Sequence, residues 1–127
     1  MYVLDASALL AYLNEERGGE EVEALLDEAL ISTVNLSEVL QKVAVVGVEP
    51  AQLAFEVSGM GVRSVAFDAQ MAIAAARLWP LTKHKGLSLA DRACLALAEA
   101  VHGIAVTADT AWAGLDLPSI DIHIVSR

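Results

Sequence analysis

Four acids sit where the sequence passes from an apolar run into a polar stop or an opening helix. They are Asp5 after YVL, Glu38 in NLSEVL, Asp91 in SLADRACLALA and Asp109 at the end of IAVTAD. Each has a local explanation. Asn35-x-x-Glu38 and Ser88-x-x-Asp91 have the spacing of a capping box, and Asp5 and Asp109 can cap the turns that follow them. Taken together they admit another chemistry. A helix N-terminus favours an anion by only about 0.3–1 kcal/mol, whereas carboxylates within about 4–6 Å of one another repel and raise each other's pKa. A divalent cation removes that repulsion. Donors that are all oxygen suit Mg²⁺ or Mn²⁺, which keep several waters and often bind a substrate phosphate as well.

Other chemistries fit less well. His84, His102 and His123 are scattered, so no Cys/His set exists for zinc. His102, just before Gly103, reads as a helix C-terminal residue and His123 as an edge-strand side chain. The sequence has no P-loop and no G-x-G-x-x-G. Ser7 has no evident partner His at a strand end, and Asp5-Ala6-Ser7 lacks the second Asp of a haloacid-dehalogenase phosphotransferase. A receiver-like module would need an acidic pair after the first strand, yet Asp5 is followed by Ala6, and Asp68, near the third strand, begins a helix. The single Cys94 precludes an intrachain disulfide, and its place in ACLALA makes it a small core residue and not a nucleophile.

The elements that must position the acids alternate between strand and helix. YVLD (2–5), ISTV (31–34), VRSVAF (62–67), IAVTAD (104–109) and IDIHIV (120–125) read as strands. Between them, SALLAYL has helical character. EEVEALLDEAL (20–30) places Val22, Leu25, Leu26 and Ala29 at the helix period. NLSEVLQKVAVVG should stop at Gly47, and Pro50 should open AQLAFEVSGMG. Asp68 should cap AQMAIAAARLW, which Pro80 ends, and LSLADRACLALAEAVHG should run to Gly103. Strands separated by helices imply right-handed βαβ units and a parallel sheet covered on both faces, with alternating IDIHIV at an edge. Ligand sites in such sheets lie at the carboxyl ends of the strands. All four acids then fall on one edge.

At 127 residues the chain is expected to form one domain, 1–127. Its apolar fraction of 56% and mean hydropathy of +0.53 are high, but no apolar run reaches the ~20 residues that span a bilayer. MYVLDASALLAYL lacks a basic n-region and meets Asp5 early, which argues against a signal peptide and for the cytoplasm. Surplus apolar surface points to an oligomer or partner interface. The net charge of −9 speaks against nonspecific nucleic-acid binding. Its distribution is uneven, with seven of the 17 acids in Glu15–Glu28 and four of the eight basic residues, Arg77, Lys83, Lys85 and Arg92, within 77–92.

YVLDASALLAYL, STVNLSEVL, GLSLADRACLALA and AVTADTAW, in this order and spacing, resemble a PIN-domain ribonuclease of the VapC type, the toxins of VapBC toxin–antitoxin pairs. The resemblance runs along essentially the whole chain, although 48–80 is generic. It implies a three-layer α/β/α domain with a central parallel sheet of four to five strands, usually as a homodimer. It implies an endoribonuclease that uses Mg²⁺ or Mn²⁺, with Asp5, Glu38, Asp91 and Asp109 as the metal-holding and catalytic acids. The family's small hydroxyl positions near the metal fall on Ser7 and Thr107, as groups that support the metal ligands or position the substrate phosphate, and Arg92 and Lys85 are expected near the substrate backbone. The implied reaction is in-line attack of water on an RNA phosphodiester, with Asp5 and Asp91 as direct ligands. Glu38 and Asp109 would act through water or orient the nucleophile. A cognate VapB-type antitoxin is implied as partner, and no membrane. Overall acidity does not oppose an RNA substrate, since removing the four site acids takes −9 to −5. Trp112 is expected to pack its short turn. The alternative is a catalytically degenerate PIN scaffold that only binds a partner protein or RNA.

Overall fold

In the computed structural model, which describes residues 1–125, five short strands form one parallel sheet. The last two residues of the expected 1–127 domain lie outside the described residues. The strands are β1 (Tyr2–Leu4), β2 (Ala29–Ser32), β3 (Arg63–Val65), β4 (Ile104–Thr107) and β5 (Asp121–Ile124), in the order β3-β2-β1-β4-β5. Between them lie α1 (Ala6–Leu13), α2 (Gly19–Glu23), α3 (Thr33–Ala44), α4 (Pro50–Gly59), α5 (Ala69–Thr82) and α6 (Leu89–Ala100). Short 3₁₀ turns occupy Leu26–Glu28, Lys83–Lys85 and Thr110–Trp112. No helix among the described residues is long and apolar enough to cross a membrane.

The pleat of β1 explains the three layers. Adjacent residues point to opposite faces of a sheet, so Leu4 joins one core with Leu9, Ile31, Val39, Leu53 and Val106. Val3 joins the other with Leu30, Ala75, Leu95, Ala105 and Trp112. α1, α3 and α4 cover the first face; α5 and α6 cover the second. Such double burial requires near-continuous apolar strands, which is what VLD, ALI and AV supply. Strand order also reverses beside β1: the chain steps outward through β2 to β3, then returns across β1 to β4. That reversal opens the crevice where parallel α/β sheets hold ligands. Asp5 leaves β1 and Asp109 follows β4, so both flank it.

Several boundaries differ from the sequence expectation. The helix expected over 20–30 ends at Glu23, because Ala29 and Leu30 are taken into β2, paired with Tyr2 and Val3. Val22 and Leu26 stay buried as the period predicted, but Val22 lies in the short α2 and Leu26 in the 3₁₀ segment beyond it. α3 begins at Thr33, two residues before the expected start, with Ser32 as its N-cap through Val34 N–H at 3.2 Å. Asn35 is therefore inside the helix, and the expected Asn35–Glu38 capping box does not form. Pro80 does not end α5, which continues to Thr82. The ring lies on the exposed side, and Thr82 Oγ1 donates to Leu78 O at 2.8 Å in that last turn. β5 alternates in burial and takes the sheet edge as expected. His123 on it bonds Glu21 at 2.9 Å, and His102 follows the end of α6 with φ +53°. α3 ends at Ala44, earlier than the expected stop at Gly47, which follows in the turn at φ +96°, a backbone conformation that favours glycine.

The central β1–β4 pairing leaves little room at its open end. A Cβ at Gly103 would lie 2.7 Å from the carbonyl oxygen of Met1, whose oxygen also accepts the Ile104 N–H at 3.0 Å. Gly103→Ala is expected to destabilise the fold by about 1–3 kcal/mol, as overpacking does. Equilibrium urea denaturation reads this directly, and a change below about 0.5 kcal/mol would show that the strand pair can slip.

Candidate active site

Asp5 is 3% exposed and almost fully bonded. As N-cap of α1 it accepts the Ala8 N–H at 2.8 Å on Oδ1. Ser7 Oγ lies 2.8 and 2.9 Å from its two oxygens, and Thr107 Oγ1 donates to Oδ2 at 2.5 Å. The two hydroxyls are themselves held: Ser7 Oγ accepts the Ala108 N–H at 2.9 Å, and Thr107 Oγ1 accepts the Asp109 N–H at 3.0 Å. One carboxylate thus joins β1, α1 and the end of β4. Burial pushes Asp5 up to about 6; the bonds from Thr107, Ala8 and Ser7 oppose that rise, and the charge of Asp91 adds to it.

Asp91 is half-buried in the first turn of α6. The Ser88–Asp91 capping box is complete, with Ser88 N–H donating to Asp91 Oδ2 at 2.9 Å and Asp91 N–H donating to Ser88 Oγ at 3.1 Å. Its pKa is raised, first by burial and then by the charges of Asp109 and Glu38, against the bonds from Ser88. Asp91 is thus the acid whose charge is coupled to each of the other three, Asp5, Asp109 and Glu38. Asp109 caps its 3₁₀ turn through Ala111 N–H at 2.9 Å and is exposed. Glu38 pairs with Lys42, one turn along α3, at 3.3 Å.

The first turn of α6 is tied on two further sides. Asn35 Nδ2 donates to Ala90 O at 2.9 Å, and Arg92 Nη1 donates to Ala75 O of α5 at 3.0 Å. Beneath them Cys94 Sγ approaches Val3 O at 3.6 Å, fully buried, and burial holds its thiol well above the ordinary range. It is a core residue as expected. Sequence reasoning missed Asn35 in this role, because its proximity to Glu38 reads equally well as a cap. Of the residues expected near a substrate, Ser7 and Thr107 hold Asp5, and the Arg92 guanidinium is engaged with α5. Lys85 stands on the exposed turn before α6, its Nζ 3.8 Å from where a Gly114 Cβ would lie, beyond Asp109 in the chain. Lys83 sits over the Trp79 ring at 4.8 Å. Trp112 is buried and packs its turn.

The donor set fits a hard divalent cation. It is all oxygen, and Asp5 and Asp91 are raised first by burial and then by neighbouring acids, a repulsion that a cation at this edge would relieve. As the side chains lie, no three of His, Cys, Asp or Glu among the described residues converge into a group that could hold a metal ion. Glu38 is meanwhile held by its pair with Lys42. An exposed i,i+4 pair is worth only about 0.3–0.5 kcal/mol, so a cation can readily displace it.

Residues 2–117 match the PIN domain family, and the chain belongs to it. No curated protein matches the sequence. Among solved structures it is similar to a toxin–antitoxin complex from Klebsiella pneumoniae, with a TM-score of 0.74, 18% identity and coverage of 94% of this chain and 95% of that one. VapBC2 from Rickettsia felis, bound to a DNA fragment from its promoter, gives 0.72 and 17% identity, covering 98% of each chain. VapBC-5 from Mycobacterium tuberculosis gives 0.60 and 24%, covering 97% of each. At these identities the likeness is one of fold.

The raised Asp5 has a defined consequence for stability. In the unfolded chain it titrates near 3.8 and in the fold near 6, so the native state binds more protons between those values. Stability from this group therefore falls as pH rises from about 4 to 6 and stays low above it. Two pH units correspond to about 3 kcal/mol. In EDTA, wild-type protein should lose stability between pH 4 and pH 7 relative to Asp5→Asn, whose amide cannot ionise. Paired urea titrations at the two pH values test this; parallel changes in both proteins would contradict it.

Proposed function

We propose that this chain is a Mg²⁺- or Mn²⁺-dependent endoribonuclease that hydrolyses RNA phosphodiester bonds as the toxin of a type II toxin–antitoxin pair. The observation that carries the reading is the place of Asp91 at the carboxyl edge of the sheet, where its charge is coupled to Asp5, Asp109 and Glu38, while burial first of all pushes Asp5 up to about 6. Membership of the PIN family and the fold shared with toxin–antitoxin proteins support it.

Asp5 and Asp91 are the acids we assign to holding the cation, because backbone and hydroxyl donors fix both carboxylates before anything binds. The cation would supply Lewis-acid activation of the attacking water and offset charge on the phosphate. Glu38 and Asp109 are less confined. They can orient a water for in-line attack and accept its proton on a carboxylate oxygen. Ser7 and Thr107 position Asp5, so their contribution passes through it. Lys83 and Lys85 form no ion pair among the described residues. They lie on the turn leading into Asp91, where they can meet the phosphates of an approaching strand. A VapB-type antitoxin and a second copy of this chain are the proposed protein partners. Exposed apolar side chains are available to both: Ile73, Trp79, Leu81 and Leu89 on α5 and α6 are each more than half exposed, as are Val45, Val46 and Phe55 on the α3–α4 side.

Cleavage of a labelled RNA is expected with Mn²⁺ and to stop in EDTA. Asp5→Asn and Asp91→Asn should each lower the rate about a thousandfold or more, about 4 kcal/mol of barrier, while remaining folded. Wild-type protein that leaves a broad panel of RNAs intact would favour the binding-only scaffold, and full activity in either variant would break the site assignment.

RNA binding tests the basic turn separately. With Asp5→Asn as the non-cleaving background, Lys83→Ala/Lys85→Ala should weaken binding to single-stranded RNA. The slope of log affinity against log salt should fall by about 0.7 for each phosphate that no longer meets a lysine. Fluorescence anisotropy across a salt series reads both, and an unchanged slope would place the strand elsewhere.

A further inference from the structure

Asn35 is an unusual choice for the inside of a helix packed against another helix. It is 1% exposed, Nδ2 donates to Ala90 O, and Oδ1 is buried without a partner. A half-satisfied buried carboxamide is destabilising relative to a well-packed apolar residue, and Asn is a poor helix former. Ala90 does not depend on it, because a carbonyl inside α6 is already served by the amide four residues on. The bond from Asn35 is therefore additional, and local stability does not account for it.

Position does. Ala90 immediately precedes Asp91, and Asn35 lies one turn before Glu38 on the same face of α3. The bond joins the two helices at the point where each presents a carboxylate, and the charge of Glu38 reaches Asp91. Apolar side chains alone permit small shifts of one helix along another, whereas one directional hydrogen bond in a low-dielectric contact selects a register. Arg92 anchors the same turn to α5; among the described residues, Asn35 supplies the hydrogen bond that ties it to the helix bearing Glu38.

We infer that Asn35 is a positioning residue that sets Asp91 against Glu38 for cation binding, at the expense of fold stability. The inference rests on the proposed metal site. Asn35→Leu fills the same space and removes the bond. Isothermal titration with Mn²⁺ on the full chain should show affinity weakened about tenfold, the lower end for residues that orient ligands. Urea denaturation in EDTA should show stability equal to wild type or higher. A residue that only supports the fold would give the opposite pair of results.

A double-mutant cycle with Glu38→Gln sharpens the test. If Asn35 acts through the spacing of the two acids, its replacement changes Mn²⁺ affinity little once Glu38 is gone, whereas additive losses overturn the inference. Wild-type affinity in Asn35→Leu also overturns it. If the leucine does not fold, Asn35→Ala leaves space instead of filling it and is read by the same affinity criterion. Failure of wild-type protein to bind Mn²⁺ removes the metal-site reading and Asn35's role with it. Failure of the Asn35 variants to weaken binding removes only the latter.

Discussion

The burial of one carboxylate organises this molecule. Asp5 stands at the end of the central strand, and its bonds to Ala8, Ser7 and Thr107 tie α1 and β4 to β1. Charge in a buried place is tolerated only when donors surround it. Here the donors come from three elements, so the backbone turn into α1, the end of β4 and the carboxylate are mutually fixed. The same constraint places Asp109: its own N–H is held by the Thr107 hydroxyl that bonds Asp5. The sheet edge is arranged around an anion before any ligand arrives.

Opposed electrostatic effects keep that anion available. Burial and Asp91 raise Asp5, while three hydrogen bonds restrain the rise and leave it near 6. A lone buried carboxylate without such donors would titrate higher and sit neutral at pH 7. One with donors and no acidic neighbour would be content without a cation. Asp91 shows the same balance in a less buried setting, raised first by burial and then by Asp109 and Glu38, and restrained by Ser88. The fold carries a repulsion that a divalent cation would relieve, and the energy of that relief is available for binding.

Much of this was legible in the sequence. Apolar strand runs fixed a parallel sheet, strand ends gathered the acids, and the Ser88–Asp91 spacing foretold its capping box. The failures share a cause: tertiary demands override local pattern. The apolar period over 20–30 is genuine, but pairing to β1 draws Ala29 and Leu30 into a strand. Pro80 lacks an amide donor, yet its ring faces outward and the helix passes through it. Asn35 looked like a cap because a cap and a cross-helix bond require the same side chain. Only the register of α3, set by Ser32, distinguishes them. Ser7 and Thr107, expected near the metal as supporting or phosphate-positioning groups, bond Asp5, and Arg92 gives Nη1 to Ala75 O while its buried Nε has no partner among the described residues.

The choice between capping and metal binding is therefore a false one at this edge. A helix cap fixes a carboxylate because backbone donors at the first turn have no partner in the helix, and their direction sets where its remaining lone pairs face. Asp5, Asp91 and Asp109 each receive such donors. Asp5 and Asp91, the more buried of these, are held for the reason they are stable, and fixed ligands are what a small, geometrically demanding cation such as Mg²⁺ requires. Glu38 lacks this support. It lies within α3, bound only to Lys42 on the surface, and it can move. If the proposed cation binds here, Asp5 and Asp91 would meet it from carboxylates already fixed by their donors, whereas Glu38 and Asp109 would have to approach, since as the side chains lie no three of these acids converge.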